Sequence, residues 1–403
     1  MKKRVSISFA VLFALVLNFF TAVPATAAPL GNLPANMTFD EAKFSNYIHS
    51  KLATNSIGYT MVLYKDGKWL TQSATGYSVL KKDVPDILGV GLSFRPETRI
   101  NIASVTKPIT ATAVLKALQV NPAVSLDSKV KDFLPPTWTI GPYVKDLSFK
   151  DFLSQYTGMN DNKGFTDIKN LREWIKVGVN CPKTEYKYIN GNLAIFRIAL
   201  PYLVATAAER KAYNELALTS DNALNDAVSA KYVEIVRNTV FTPMGINNVS
   251  MNDTNKYQTR FYNKMNNAPG ATAGDWTKIG GGGGWYMSAL ELGQFMAHLR
   301  YDDKILAPST RKLMDDNFLG WETPAEFKNF QGKYGDYLGH GGLLKYNDAS
   351  DDTRVGMVSI IVNFPSGIQG VLLINSFGDY PSKDRLMKDA FDQAVVLKQV
   401  KKA

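Results

Sequence analysis

The sequence predicts an α+β fold, in which an antiparallel β-sheet built from both ends of the chain is flanked by helices and joined to a mostly helical second lobe. The sheet is indicated because each end of the chain carries a pair of apolar runs separated by a short turn sequence. The lobe is indicated because the residues between these ends have mainly helical periodicity, broken by loops rich in Gly, Asn and Pro. The paired runs are 58–64 with 69–76, and 356–364 with 370–376.

Residues 1–28 are predicted to form a signal peptide. Basic residues at positions 2–4 precede an apolar run over 5–23, and the small residues Ala-Thr-Ala that end at Ala27 resemble a cleavage site. Cleavage after Ala27 or Ala28 predicts a periplasmic or secreted protein with no stable membrane insertion once the signal is removed. An uncleaved membrane anchor is the alternative, whereas a lipoprotein is not predicted because no cysteine lies near this site.

The remaining chain, 29–403, is interpreted as one domain, with its sheet lobe at about 29–125 and 293–403 and its helical lobe at about 126–292. An amphipathic helix is predicted at about 40–52, before the first pair of strands.

The turn sequences and further helices follow from local patterns. Asp66-Gly67 is typical of a tight hairpin turn, and 365–367 (Pro-Ser-Gly) joins the second pair of strands. Apolar residues at helical spacing over 109–118 predict a helix after the first hairpin, and a closing amphipathic helix is predicted at about 382–400.

The composition narrows the classes of function. The formal charge is +10, and removal of the three basic residues of the signal segment lowers it to +7. Because this charge is spread along the chain without a dense basic block, nucleic-acid binding is not predicted. The single cysteine, Cys181, excludes an internal disulfide. The three histidines, His49, His298 and His340, lack the paired spacing of zinc ligands, so no metal or other cofactor is predicted.

Ser104 and Lys107 lie three residues apart at the predicted start of the helix, and therefore on the same helical face. A serine hydroxyl is a weak nucleophile unless a base lies beside it, and a lysine amine at this spacing can reach it. Ser104 is accordingly a candidate nucleophile. The pattern is not specific, because Ser-x-x-Lys also occurs at 78–81, 128–131 and 309–312. A capping serine beside a solvated lysine is the alternative reading.

Two further patterns carry polar groups suited to the same chemistry. Tyr188 and Asn190 form the only Tyr-x-Asn in the chain. A phenol beside a lysine can act as a general acid or base, and an amide offers both a donor and an acceptor. The segment 340–342 (His-Gly-Gly) precedes the second pair of strands, where glycines let a substrate approach the backbone and an imidazole can donate a hydrogen bond. Each pattern by itself also fits a structural role.

Together and in this order, the three patterns resemble those of the serine β-lactamase and penicillin-binding-protein superfamily, and most closely its class C branch, which includes D-amino-acid peptidases and esterases. The resemblance extends over about 58–376. Further segments similar to those of the family are 99–108, 152–159, 241–246 and 283–288. The resemblance implies a β-lactamase/transpeptidase-like fold and an exported serine hydrolase.

The resemblance also implies roles for individual residues. Ser104 would form the acyl-enzyme, Lys107 would keep its proton mobile, and Tyr188 would pass that proton to the leaving group and later activate water. Asn190 would orient the substrate and the lysine.

In the segment that precedes the second pair of strands, His340, Gly341, Gly342 and Leu343 would contact the substrate. His340 would stand where many β-lactamases have the lysine of a Lys-Thr-Gly motif. The backbone N–H groups of Leu343 and of the nucleophile would form the oxyanion hole.

This chain departs from the family pattern at several positions. It contains no Lys-Thr-Gly, and Lys345 stands where relatives with His-Gly-Gly have a small residue. Lys345 either supplies a cation near the pocket or points to solvent. The stretch 191–225 has no recognised family landmark and is expected to influence the choice of substrate. Five glycines at 280–284 lack the Lys-Ser/Thr of a phosphate-binding loop, and are interpreted as a backbone that approaches a pocket closely.

The predicted partner is a small-molecule or peptide substrate, with small esters, amides and D-amino-acid peptides ranked above β-lactams because the Lys-Thr-Gly lysine is missing. Two alternatives remain open: a penicillin- or peptidoglycan-binding protein that acylates with negligible turnover, and a catalytically inactive scaffold of the same fold. The sequence leaves the oligomeric state open.

Overall fold

A computed structural model describes residues 30–85, 88–161, 164, 166–179, 186–323, 331–346 and 354–399. The predicted signal segment and Cys181 lie outside these residues. In the described part of the chain, no helix combines the length and the apolar character needed to span a bilayer.

The described residues form eleven α-helices and fourteen β-strands. The helices are α1 (Glu41–Leu52), α2 (Thr106–Val120), α3 (Phe149–Leu153), α4 (Ile168–Val177), α5 (Asn190–Ala194), α6 (Phe196–Val204), α7 (Ala207–Thr219), α8 (Asp221–Val236), α9 (Ala289–Tyr301), α10 (Pro308–Asp316) and α11 (Lys383–Ala394). The strands are β1 (Met37–Phe39), β2 (Gly58–Lys65), β3 (Lys68–Val79), β4 (Leu92–Ser93), β5 (Ile100–Asn101), β6 (Tyr262–Asn263), β7 (Tyr286–Met287), β8 (Gln331–Gly332), β9 (Gly335–Asp336), β10 (Leu338–Tyr346), β11 (Val355–Asn363), β12 (Ile368–Ile374), β13 (Ser376–Phe377) and β14 (Val395–Leu397).

The main sheet is assembled from both ends of the chain, which confirms the predicted fold class. Its strand order is β13-β6-β11-β12-β2-β3-β4, and β10 pairs with β11. All pairs are antiparallel except β6 with β13. The predicted hairpins are present as β2–β3 and β11–β12, and β2 pairs with β12 to join the two ends. One short strand, β6, comes from within the range predicted as the helical lobe.

The sheet is covered on both faces because its strands alternate between two apolar cores. In β2, Met61 and Leu63 pack with α1 and α11, whereas Val62 belongs to the larger core formed with α2, α9 and the helical region. The predicted helix at 40–52 is therefore confirmed as α1, which begins after Asp40, whose side chain accepts a hydrogen bond from the Lys43 N–H. The site described below lies at the start of α2, on the side of the larger core.

One predicted boundary differs from the structure. The closing helix α11 ends at Ala394 rather than near 400, because the following residues pair as β14 with β1. Val395 and Val396 are β-branched, which favours this extended pairing over another helical turn. His340, Gly341 and Gly342 precede the second pair of strands, as predicted, and lie inside a further strand, β10, at the edge of the sheet.

Candidate active site

Ser104 lies on a tight turn between β5 and α2. A 3₁₀ turn over Ala103–Val105 precedes the α-helix, and the Oδ1 of Asn101 accepts a hydrogen bond from the Ala103 N–H at 2.9 Å. Ala103 has a φ of 49°, a left-handed conformation that non-glycine residues rarely adopt. The predicted helix start is therefore displaced by two residues, and Ser104 is half-buried beside a pocket rather than inside the first α-helical turn.

Lys107 is buried directly beside the serine. Its Nζ lies 3.0 Å from the Oγ of Ser104, 2.8 Å from the Oδ1 of Asn190 and 2.7 Å from the carbonyl oxygen of Gly282. Burial lowers the pKa of Lys107 to about 7, opposed by the negative charge of Glu322. The amide and carbonyl oxygens can only accept hydrogen bonds, so they take two N–H groups of the amine. The lone pair of the neutral amine is then directed to the serine hydroxyl, which can donate its proton.

Tyr188 joins this pair from a distant segment. Its ring centroid lies 4.6 Å from the Nζ of Lys107, and its ring packs against that of His340 with centroids 6.0 Å apart. Gln155 holds the segment in place, because its Oε1 accepts hydrogen bonds from the Ile189 N–H at 3.0 Å and the Asn192 Nδ2 at 2.7 Å. The structure thus brings the serine, the lysine, the tyrosine and Asn190 together.

His340 lies on β10 and is buried, with only 1% of its surface exposed. Its Nδ1 is 2.7 Å from the carbonyl oxygen of Gly341, and since a carbonyl only accepts, Nδ1 carries the hydrogen. Burial, with the nearby Lys107 charge as the second cause, lowers the pKa of His340 well below its usual range. The imidazole is therefore neutral at physiological pH. It is not among the residues that line the pocket.

The glycines of β10 allow the strand to approach the nucleophile. A Cβ on Gly342 would come within 2.2 Å of the Oγ of Ser359 and 2.6 Å of the carbonyl oxygen of Ile102, two residues before Ser104. Leu343 is 44% exposed and lines the pocket, whereas Lys345 is exposed and does not. Lys345 instead lines a separate, open groove that also contacts Leu343.

A pocket of about 420 Å³ opens onto Ser104. None of its described lining residues carries a charged side chain, and its walls combine glycine backbone with apolar groups. The lining residues are Ala103, Ser104, Gly164, Thr166, Asn190, Trp276, Ile279, Gly282, Gly283, Leu343 and Leu344.

The glycine run at 280–284 has the role expected from its composition. Gly282 and Gly283 line the pocket, and a Cβ on Gly282 would come within 2.8 Å of the Asn190 carbonyl oxygen. The carbonyl of Gly281 accepts a hydrogen bond from the Oγ1 of Thr110 at 2.7 Å, which fixes the run against α2. A side chain at Gly282 would therefore displace either the run or the segment that carries Asn190.

The stretch 191–225 supplies none of the described lining residues. It contacts the pocket indirectly through Arg197, a buried arginine on α6, which donates a hydrogen bond to the carbonyl oxygen of Thr166 at 2.7 Å and another to the Oγ of Ser229 at 2.8 Å. Thr166 in turn donates from its Oγ1 to the carbonyl oxygen of Ile279 at 2.6 Å. The expected influence of this stretch on the substrate would pass through that wall of the pocket.

Several residues of the site were not predicted from the sequence. Glu322 is a largely buried carboxyl beside β10, with 12% of its side chain exposed, and Trp276, Thr166 and Ile279 form one wall of the pocket. Their types and spacings are ordinary, and no motif in the sequence distinguishes them. Among the residues described, no group of three or more potential metal ligands lies together.

The fold, with Ser104, Lys107 and Tyr188 brought together beside the pocket, places the chain in the class of β-lactamase-like hydrolases. The β-lactamase family model matches residues 44–385, so the chain belongs to the β-lactamase family. No reviewed protein sequence matches the chain.

Solved structures with this fold have diverse names. An octameric penicillin-binding protein homologue from Pyrococcus abyssi has a TM-score of 0.61 at 19% identity, over 86% of this chain and 76% of that one. A β-lactamase/D-alanine carboxypeptidase from Yersinia pestis has a TM-score of 0.60 at 14% identity, over 88% and 98%. A D-stereospecific amidohydrolase from Streptomyces sp. has a TM-score of 0.57 at 15% identity, over 87% and 98%. At these identities the likeness shows the fold alone.

Proposed function

We propose that this protein is an exported serine hydrolase that acts through an acyl-enzyme on Ser104. The observation that carries the proposal is the 3.0 Å contact between the Ser104 Oγ and the buried Nζ of Lys107. Because burial lowers the pKa of Lys107 to about 7, a large fraction of the amine is neutral at physiological pH and can accept the serine proton. A solvated lysine of ordinary pKa would already be protonated there and could not.

Acylation begins when Ser104 attacks the substrate carbonyl while Lys107 takes the hydroxyl proton. Tyr188, whose ring lies beside the lysine Nζ, then passes a proton to the leaving group as the carbonyl–leaving-group bond breaks. Asn190 orients both the lysine and the substrate. In deacylation the same groups take a proton from water as its oxygen attacks the acyl carbon. The bond between the acyl carbon and the Ser104 Oγ then breaks, the proton passes to this Oγ, and the acid product leaves.

The oxyanion is stabilised by the backbone N–H groups of Ser104 and Leu343, and such donors typically contribute about 3 kcal/mol each. Strand geometry supports the second donor. The Gly341 N–H and the Gly339 carbonyl both point away from β11, because both bond to Glu322. Since backbone groups alternate with a period of two, the Leu343 N–H also points to the open edge, beside the pocket.

The described residues that line the pocket are uncharged, which supports neutral acyl groups as substrates. With His340 neutral and no charged side chain among the described lining residues, the site offers no fixed cation for a substrate carboxylate. Small esters, amides and D-amino-acid peptides therefore rank above β-lactams. The name of one structural neighbour, a D-stereospecific amidohydrolase, is consistent with this range.

Covalent labelling tests the nucleophile. We expect a fluorophosphonate probe to label purified wild-type protein and to leave Ser104→Ala unlabelled, with a melting temperature within about 2 °C of the wild type because a half-buried hydroxyl contributes little to stability. Ser309→Ala is the matched control. Ser309 also begins a Ser-x-x-Lys at a helix start, but it is exposed and Lys312 pairs with Asp316 at 2.6 Å. Labelling that survives in Ser104→Ala, or is lost in Ser309→Ala, would contradict the proposal.

Turnover separates the proposed enzyme from its two alternatives. Wild-type protein is assayed with p-nitrophenyl esters, D-alanyl peptides and nitrocefin. Steady turnover supports a hydrolase, a stoichiometric burst without turnover supports a penicillin- or peptidoglycan-binding protein, and the absence of labelling supports an inactive scaffold.

Export is tested by expressing the full chain in a bacterial host and fractionating the cells. We expect the mature protein in the periplasm or the medium, with an N-terminus after Ala27 or Ala28 by mass spectrometry. An intact N-terminus in the membrane fraction would support the uncleaved anchor.

A further inference from the structure

Glu322 lies between α10 and β10 and bonds to the edge strand on both sides of His340. Its backbone N–H donates to the carbonyl oxygen of Gly339 at 3.1 Å, and its Oε2 accepts from the Gly341 N–H at 2.9 Å. Its Oε1 lies 3.9 Å from the Nδ1 of His340. One residue therefore acts as a short substitute for a neighbouring strand over 339–341, at the free edge of β10.

This contact determines where the free edge of β10 begins. Glu322 occupies the outward-facing carbonyl of Gly339 and the outward-facing N–H of Gly341, so Leu343 has the next N–H that points outward. Leu343 lines the pocket beside Ser104. The residue between Gly341 and Leu343 is Gly342, which has no side chain to restrict the position of the strand. The two bonds from Glu322 hold the strand immediately before this N–H.

The carboxyl of Glu322 is held in an unusual environment. Burial raises its pKa to about 8, an effect opposed by the charge of Lys383, the Gly341 N–H and the charge of Lys107, and reinforced by Asp384. A carboxyl oxygen accepts the backbone hydrogen bond in either protonation state. Glutamine has the same length and also carries an oxygen acceptor, whereas leucine fills a similar volume without an acceptor.

We infer that Glu322 is a positioning residue of the hydrolase, which holds β10 so that the Leu343 N–H meets the developing oxyanion on the substrate bound at Ser104. The inference rests on the function proposed above. It adds a residue that touches neither the nucleophile nor the pocket, and that acts on the transition state through the backbone of one strand.

The test compares Glu322→Leu with Glu322→Gln in the full mature chain. Because misplacing a reacting group by about 1 Å can cost about 100-fold in rate, we expect kcat for a p-nitrophenyl ester to fall by roughly that factor in Glu322→Leu, with KM changed less than about threefold. Glu322→Gln is expected to retain kcat within about threefold. Asp315→Leu is the control, since the Asp315 side chain is also partly buried, with 22% exposed, but bonds to Arg300 and Trp321 instead of β10.

Amide hydrogen exchange gives a second readout that needs no turnover. In the Ser104→Ala background, Glu322→Leu should accelerate exchange at the Gly341 N–H group relative to Glu322→Gln, while Asp315→Leu should not. Equal kcat in Glu322→Leu and Glu322→Gln, or equal exchange in the two, would overturn the inference. If the wild type hydrolyses nothing but exchange differs as expected, the proposed function fails while the contact to β10 stands.

Discussion

Because Lys107 is buried, we expect its replacement by methionine to change stability and activity differently. The stability difference from the wild type should depend on pH, and the labelling of Ser104 should become slower. Methionine has a similar length and no charge, and the lysine has only 1% of its surface exposed. The pKa of Lys107 falls from 10.5 to about 7 on folding. Between these two pH values the unfolded chain binds one more proton at this residue than the folded chain, so the stability of the wild type rises with pH in that window.

The magnitude follows from the size of the shift. One pKa unit corresponds to about 1.4 kcal/mol, and titration of the folded lysine is half complete at pH 7. The wild type should therefore gain about 2 kcal/mol relative to Lys107→Met between pH 7 and pH 9. The absolute difference at either pH also includes the hydrogen bonds to Asn190 and Gly282 that methionine cannot make, but this contribution is the same at both values.

Urea unfolding with linear extrapolation at pH 7 and pH 9 measures this change. Ser104→Ala, which removes no titrating group, is the control and should differ from the wild type by the same amount at both pH values. The labelling rate of Lys107→Met should fall by about 10²- to 10⁴-fold, as expected for loss of a general base. A wild-type minus Lys107→Met difference that is constant from pH 7 to pH 9 would refute the reasoning, because the lysine would then titrate alike in both states.

Two further substitutions test the geometry around the nucleophile. Gly342→Ala should lower kcat by about 100-fold and lower the melting temperature, because the new methyl group would lie 2.6 Å from the Ile102 carbonyl oxygen and displace the turn before Ser104. Ester kinetics and thermal melting measure these two changes. A variant with the kcat of the wild type would show that the strand has room to move. Tyr188→Phe keeps the ring beside Lys107 but removes the phenol, so kcat should fall by about 10²- to 10⁴-fold with little change in melting temperature, whereas full activity would exclude the hydroxyl from proton transfer.

The predicted elements that the structure confirms are those fixed by short-range patterns. The hairpin around Asp66-Gly67 and helix α1 both follow from residues within one turn or one strand of each other. A predicted boundary was wrong where a segment far away in the sequence determines the local structure. The residues after Ala394 pair with β1, more than 350 positions earlier, and nothing in their local pattern indicates that partner.

The candidate site shows the same division. Ser-x-x-Lys occurs four times in the sequence, and the spacing cannot distinguish the occurrences. In the structure Lys312 is exposed and paired with Asp316, whereas Lys107 is enclosed by α2, Asn190 and the glycine run. The difference between them is desolvation, which depends on every element packed around a side chain rather than on its neighbours in sequence.

The sequence by itself determined the fold class through periodicity and turn residues, which act over a few positions. Its short motifs carried the resemblance to the family, and that resemblance indicated the residues for the proposed chemistry. Only the tertiary structure decided which lysine loses its charge, that His340 is buried and neutral outside the pocket lining, and that Glu322 holds the edge of β10. The physical reason is that water is excluded by packing between segments far apart in the chain. The protonation states and hydrogen bonds of a site follow from that exclusion.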